Sequence, residues 1–229
     1  MAELIVVLDV DSTREALRIV DQCEGCTWFK VGAQLFTREG PAVVRELVSM
    51  GRRVMLDLKF HDIPNTVSAA VRAVADLGAS LATLHATGGC RMIAAARQAA
   101  EGSSLRLLAV TVLTSLTAQE LRDEVGFQET PGDAVTRLAR QSVLAGAHGI
   151  VCSPREASIV RQAVGPDALV VTPGVRPVWT ETGDQRRVMT PREAVEAGAS
   201  MIVVGRPILE HFNPAEAVGR ILEEMNGAS

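Results

Sequence analysis

Short apolar runs alternate with longer amphipathic stretches from one end of this 229-residue chain to the other, and nothing else in it constrains the fold as strongly. An apolar run of five or so residues suits a buried strand, and an amphipathic stretch of ten or more suits a helix covering it. Strands rich in Val, Ile and Leu on both faces belong in a parallel sheet with helices packed over it. Eight such runs are present: Leu4–Asp9, Thr27–Val31, Arg53–Lys59, Ser80–His85, Leu105–Thr111, His148–Cys152, Leu169–Thr172 and Met201–Val204. Each is followed by a helical pattern. Eight βα units favour closure into a (β/α)8 TIM barrel, expected here as a single domain over residues 1–229. A doubly wound open sheet is the alternative, because periodicity does not distinguish strands that close from strands that do not.

The punctuation between runs agrees with this reading. Leu77-Gly78-Ala79-Ser80, Ala145-Gly146-Ala147-His148 and Ala197-Gly198-Ala199-Ser200 each stand between a helical pattern and the next strand, where glycine suits a left-handed helix end. Ser12 with Glu15 marks a helix start, and Pro154, Pro191 and Pro214 suit first-turn positions. Two stretches are too long for a minimal βα loop, Leu116 to Gly132 and Gly174 to Thr190, and long polar loops in compact domains often act as lids.

Composition excludes several function classes. A formal charge of −4 and a pI near 5.6 give no reason to expect general affinity for nucleic acid or acidic lipid, so an anionic ligand must find local positive sites. The opening MAELIVVLDVD lacks a basic leader region, and no apolar run approaches membrane-spanning length. A cytoplasmic protein is the expectation. Cys23 and Cys26 form a Cys-x-x-Cys pair, but Cys90 and Cys152 stand apart without spaced histidines, so reduced packing thiols are expected rather than a zinc site.

The charged residues concentrate where strands end. In the third strand, period-two alternation puts Asp57 and Lys59 on one face and Val54, Leu56 and Leu58 on the other. Buried singly, a carboxylate or an ammonium is costly, so the two are expected to pair. An isolated Asp-x-Lys reads as a structural ion pair. Asp9 at the end of the first strand, Lys30 at the end of the second and Asp62 after the third add alternating charges at the end where barrel enzymes place their active sites, which favours function. His61 and His85 lie nearby and stay outside the expected catalytic set, while His148 and His211 read as structural. The histidines have no metal-ligand spacing, although carboxylates alone leave Mg2+ open.

A phosphate site is expected after the last two strands. Barrels often bind phosphate with the loops after strands seven and eight, and here those loops begin Thr172-Pro173-Gly174-Val175-Arg176-Pro177 and Gly205-Arg206-Pro207. Gln185, within Gly183-Asp184-Gln185-Arg186-Arg187, could add a neutral donor from a closing loop.

Taken together, Asp57-Leu58-Lys59-Phe60-His61-Asp62-Ile63-Pro64-Asn65-Thr66, the Thr172 to Pro177 and Gly183 to Arg187 segments and Val204-Gly205-Arg206-Pro207 resemble the orotidine 5'-phosphate decarboxylase family. The resemblance covers nearly the whole chain. It implies decarboxylation of orotidine 5'-phosphate to UMP with no cofactor and no metal, with Lys59 donating a proton to pyrimidine C6 and Asp57, Lys30 and Asp62 completing the charged array. It further implies that Asp9 and Lys30 bind ribose hydroxyls, that Thr114 sits near the pyrimidine, and that Arg176, Gln185, Gly205 and Arg206 hold the phosphate. A homodimer follows, with Asp62 and Thr66 contributed to the partner's site. The runner-up is a related Mg2+-dependent barrel enzyme, a 3-keto-gulonate-phosphate decarboxylase or hexulose-phosphate synthase, against which the Gly-Asp-Gln-Arg-Arg loop argues. A nucleotide-binding protein without chemistry would need the charged array only for affinity.

Overall fold

In a computed structural model, which describes residues 2–23, 25–180 and 189–227, each of the eight apolar runs overlaps a strand. These are β1 (Glu3–Val7), β2 (Trp28–Gly32), β3 (Arg53–Phe60), β4 (Leu81–His85), β5 (Arg106–Val110), β6 (Gly149–Val151), β7 (Leu169–Pro173) and β8 (Met201–Val204). All pair in parallel and in sequence order, and β8 pairs with β1, so the sheet closes and the open-sheet alternative falls. The protein is a (β/α)8 barrel.

Closure turns the period-two alternation into two separate cores. Leu4, Val6, Phe29, Val31, Val54 and Leu56 point outward and pack under the helices in the larger cluster. Ile5, Val7, Trp28, Met55, Leu81 and Val203, from the alternate positions, fill the barrel interior. Continuing along the inward positions of the first three strands, Ile5 and Val7 lead to Asp9, Trp28 leads to Lys30, and Met55 leads to Asp57. The interior is therefore an apolar plug that becomes charged at its C-terminal mouth, and both faces of each strand are buried as the apolar runs require.

The connections follow the sequence signals. Gly78, Gly146 and Gly198 have φ of 80°, 102° and 98°, the left-handed region where a side chain would be strained, so the repeated glycine ends each helix and turns the chain into the next strand. Ser12 caps the helix Thr13–Gln22 by accepting the Glu15 N–H, and Pro191 and Pro214 open their helices as expected. The long stretch after β5 holds a short helix, Ala118–Asp123, started by a reciprocal cap between Thr117 and Glu120. The ends of the other long stretch are drawn together by a bridge between Val175 and Met189, in which Arg176 N–H donates to Met189 O at 2.9 Å. Among the described residues no helix is long and apolar enough to cross a membrane.

Candidate active site

At the mouth, four side chains from the first three βα units form a chain of alternating charge. Lys30 Nζ lies 3.2 Å from Asp9 Oδ1 and 3.5 Å from Asp57 Oδ2, and Lys59 Nζ donates to the same Asp57 Oδ2 at 2.9 Å. Exposure grades across the array: the side chains of Asp57 and Lys30 are 12% and 11% exposed, whereas Lys59 is 38% exposed and faces the cavity. Burial pushes the Asp57 carboxyl up, but the Lys30 and Lys59 ammoniums and hydrogen bonds from Lys59 and Thr83 outweigh it and hold the group below the usual carboxylate range. Asp57 is therefore an anion whose negative charge orients two cations.

The pairing of Asp57 with Lys59 does not come from plain alternation. Lys59 has φ of 49°, the one left-handed non-glycine backbone among the described residues, and the β3–β4 register shifts between Leu56 and Phe60. A left-handed turn costs a side-chain-bearing residue roughly 1–2 kcal/mol, and such strain clusters at functional sites. Here the turn delivers the Lys59 ammonium beside the carboxylate two residues earlier. Regular extended backbone carries such side chains along the sheet in parallel instead.

The array lines a cavity of about 550 Å3, within the range that encloses a nucleotide-sized ligand. Asp9, Lys30, Asp57 and Lys59 line it together with Arg176, Gly205 and Arg206, with Thr114 also in the wall. Arg176 is buried. Gly205 sits where β8 passes β1 closely, since a Cβ there would come within 3.3 Å of the Val7 Cβ. Eight of the eleven residues expected from the sequence thus meet around one cavity.

Two of the other three do not. Asp62 and Thr66 are exposed and absent from the cavity wall, and Asp62 Oδ1 accepts the N–H of Ile63 at 2.6 Å. Gln185 lies outside the described residues. Two of the histidines contact backbone: His148 Nδ1 accepts the Leu107 N–H at 2.9 Å, and His211 Nδ1 lies 2.8 Å from the carbonyl oxygen and 3.1 Å from the N of Asn213. His61 and His85 stack on each other, with centroids 5.4 Å apart, outside the cavity wall. Among the described residues no group of three His, Cys, Asp or Glu converges as metal ligands would.

Two contributors escape the sequence reading. Gly32, after Lys30, reads as an ordinary strand end, yet a Cβ there would meet Lys30 Nζ at 2.8 Å and Asp9 Oδ1 at 2.9 Å, so a side chain at this position would have to displace the paired groups. Thr83 of β4 donates its hydroxyl proton to Asp57 Oδ1 at 2.8 Å. The signal for it in the sequence is a polar residue at an inward strand position.

Charge gathered at the C-terminal mouth of a closed barrel, above an apolar interior, places the protein among the (β/α)8-barrel enzymes. Comparison with known proteins narrows that class. Residues 2–221 match the model of the orotidine 5'-phosphate decarboxylase / HUMPS family. An orotidine 5'-phosphate decarboxylase of Heliobacterium modesticaldum is 50% identical over 230 residues, covering 97% of this chain and 95% of that one. Another, from Anaeromyxobacter dehalogenans, is 57% identical over 192 residues, 84% of each chain. The crystal structure of orotidine 5'-phosphate decarboxylase from Lactobacillus acidophilus superposes with a TM-score of 0.87 at 37% identity, covering 99% of this chain and 100% of that one. The chain belongs to the orotidine 5'-phosphate decarboxylase family.

Proposed function

We propose that the protein decarboxylates orotidine 5'-phosphate to UMP and CO2, the step that completes UMP in pyrimidine biosynthesis, without metal or cofactor and with Lys59 as the proton donor. The observation that carries this reading is the Asp9–Lys30–Asp57–Lys59 array, which presents an ammonium to the cavity while its carboxylates are already engaged by lysines. Loss of CO2 from C6 leaves an electron pair in the plane of the pyrimidine ring, where the π system does not delocalise it. The protein must supply the stabilising charge. Two unit charges 4 Å apart interact by about 4 kcal/mol at an effective dielectric of 20, a useful part of the roughly 8–23 kcal/mol by which enzymes lower barriers. The Lys59 proton then goes to C6, the C–H bond replaces the broken C–C bond, and CO2 leaves with no net redox change.

The remaining stabilisation comes from placement. Arg176 and Arg206, with the backbone at Gly205, offer charge-assisted hydrogen bonds to the substrate phosphate, distant from the reacting carbon. Binding energy at the phosphate can thereby hold the ring against Lys59 rather than merely tighten binding. Gln185 joins this phosphate group in the same reading. Asp9 and Lys30 take the ribose hydroxyls, and Thr114 the pyrimidine. Asp57 orients Lys59 and stands where the leaving carboxylate would be repelled.

Asp62 and Thr66 act across a homodimer. They lie in a run from His61 to Thr66 that is exposed except at Pro64, with Ile63 66% exposed, an apolar side chain suited to cover by a second copy.

The test follows the ultraviolet absorbance of orotidine 5'-phosphate with purified protein in excess chelator, comparing wild type with Lys59→Ala. Conversion to UMP by wild type, lost in the variant, is expected. Absence of turnover until Mg2+ and a sugar phosphate are supplied would overturn the proposal in favour of the related Mg2+-dependent chemistry, and UMP binding without turnover would favour a binding protein.

A further inference from the structure

Thr83 stands in the middle of β4, fully buried, and the reading above gives it no task. The strands β3 and β4 run in register at Met55–Leu81 and Leu56–Ala82 and next pair at Phe60–Leu84, so Thr83 lies where the ladder is broken. Its hydroxyl occupies the break. Lys59 N–H donates to Thr83 Oγ1 at 2.9 Å, and Thr83 Oγ1 donates to Asp57 Oδ1 at 2.8 Å. The directions are forced, because a backbone N–H can only donate and an ionised carboxylate can only accept.

One side chain therefore grips both the left-handed backbone of Lys59 and the carboxylate that orients its ammonium. With Oδ1 held by Thr83, it is Oδ2 that faces Lys59 Nζ at 2.9 Å and Lys30 Nζ at 3.5 Å. We propose that Thr83 is a positioning residue for decarboxylation, fixing the Asp57 carboxylate and the Lys59 backbone so that the Lys59 ammonium is presented at C6. The proposal rests on the reading of Lys59 as proton donor. It gives the strained Lys59 backbone a specific partner: with the normal ladder acceptor out of register, the threonine hydroxyl takes the part-buried Lys59 N–H.

The decisive comparison is Thr83→Val, nearly isosteric but without the hydroxyl, against Thr83→Ser, which restores it, with Lys59→Ala alongside. Thr83→Val is expected to lower kcat by about tenfold to a hundredfold, the scale on which small misplacements act, while KM for orotidine 5'-phosphate changes little. Thr83→Ser is expected to recover most of that loss. The acidic limb of the kcat profile should move to higher pH in Thr83→Val, because a hydrogen bond to the ionised Asp57 has been removed. A purely structural role would lower the melting temperature and leave both the kcat-against-KM split and the pH profile unmoved. If Thr83→Val does not fold, Thr83→Ala against Thr83→Ser makes the same comparison. Turnover by Thr83→Val equal to wild type, or a serine variant as impaired as valine, overturns the proposal while loss of activity in Lys59→Ala leaves the functional reading standing. Full turnover by Lys59→Ala would instead remove the functional reading, and this proposal with it.

Discussion

The two ends of the barrel use the same kinds of charged side chain in opposite ways. At the N-terminal end, Arg161 donates to the carbonyls of Gly165, Ala168 and Gly198 and to the Ser200 hydroxyl, stitching the chain that enters β7 to the chain that enters β8. Trp28 donates its indole N–H to Glu3 there, and the Arg53 guanidinium lies 5.3 Å from the indole ring. Hydrogen bonds from one guanidinium to several carbonyl oxygens satisfy polar groups that these turns would otherwise leave unpaired. At the mouth, ammoniums and carboxylates face one another, one lysine stands on left-handed backbone, and the array opens into a cavity. Hydrophobic replacements often stabilise a fold as well as buried ion pairs do, so the mouth is built for a demand other than stability. The contrast separates charge that holds the barrel together from charge held by the barrel.

The sharpest way to break this contrast is to remove one charge from the mouth. Lys59→Ala should lower turnover of orotidine 5'-phosphate by at least about a thousandfold, since it removes the charge that stabilises the transition state, while melting cooperatively near the wild-type temperature. A large fall in melting temperature with activity retained would reverse the assignment of the two ends. Arg206→Ala should act less strongly and on binding, raising the dissociation constant for UMP by about ten- to a hundredfold, the scale of a hydrogen bond to a charged group. Isothermal titration with UMP and with uridine checks it: the loss should disappear for uridine, which lacks the phosphate.

How far this contrast could be read from sequence differs between its parts. The eight strands and the inward set Asp9, Lys30 and Asp57 follow from residue type and period two alone, because burial on both faces leaves few places for charge. The left-handed backbone at Lys59 has no such signal: lysine is not a residue that marks positive φ, and plain alternation gives the right neighbours for the wrong geometric reason. Gly32 is equally silent, since its role depends on an ion pair formed by residues from two different strand ends. Asp62 and Thr66 fall outside the cavity of a single chain, so their assignment depends on family resemblance and on a second subunit rather than on any local pattern.

The N-terminal end gives the matching test. Arg161→Ala removes donors from four carbonyls and the Ser200 hydroxyl, and should cost about 2–3 kcal/mol of stability in denaturant unfolding. The kcat of the folded fraction should stay at the wild-type value, because none of the hydrogen-bond acceptors of Arg161 lines the cavity. A fall in kcat without a fall in stability would show that the two ends are coupled.

Acid separates the ends with the smallest effect. Asp57 is the mouth carboxylate held below its ordinary range, so its contribution to stability is fully present above the unfolded carboxylate value, near 3.9, and is lost as pH falls through the lower folded value. The Arg161 network has carbonyl and hydroxyl acceptors and no carboxylate, so it does not change over the same range. Melting temperature measured against pH for wild type and Asp57→Asn should therefore converge below the usual carboxylate range, because wild type alone loses an ionised Asp57 there. Arg161→Ala should run parallel to wild type, displaced downward at every pH. If Asp57→Asn instead stayed parallel and Arg161→Ala converged, the titrating stability would belong to the N-terminal end, and the mouth would hold its charges without the linkage that its two lysines impose.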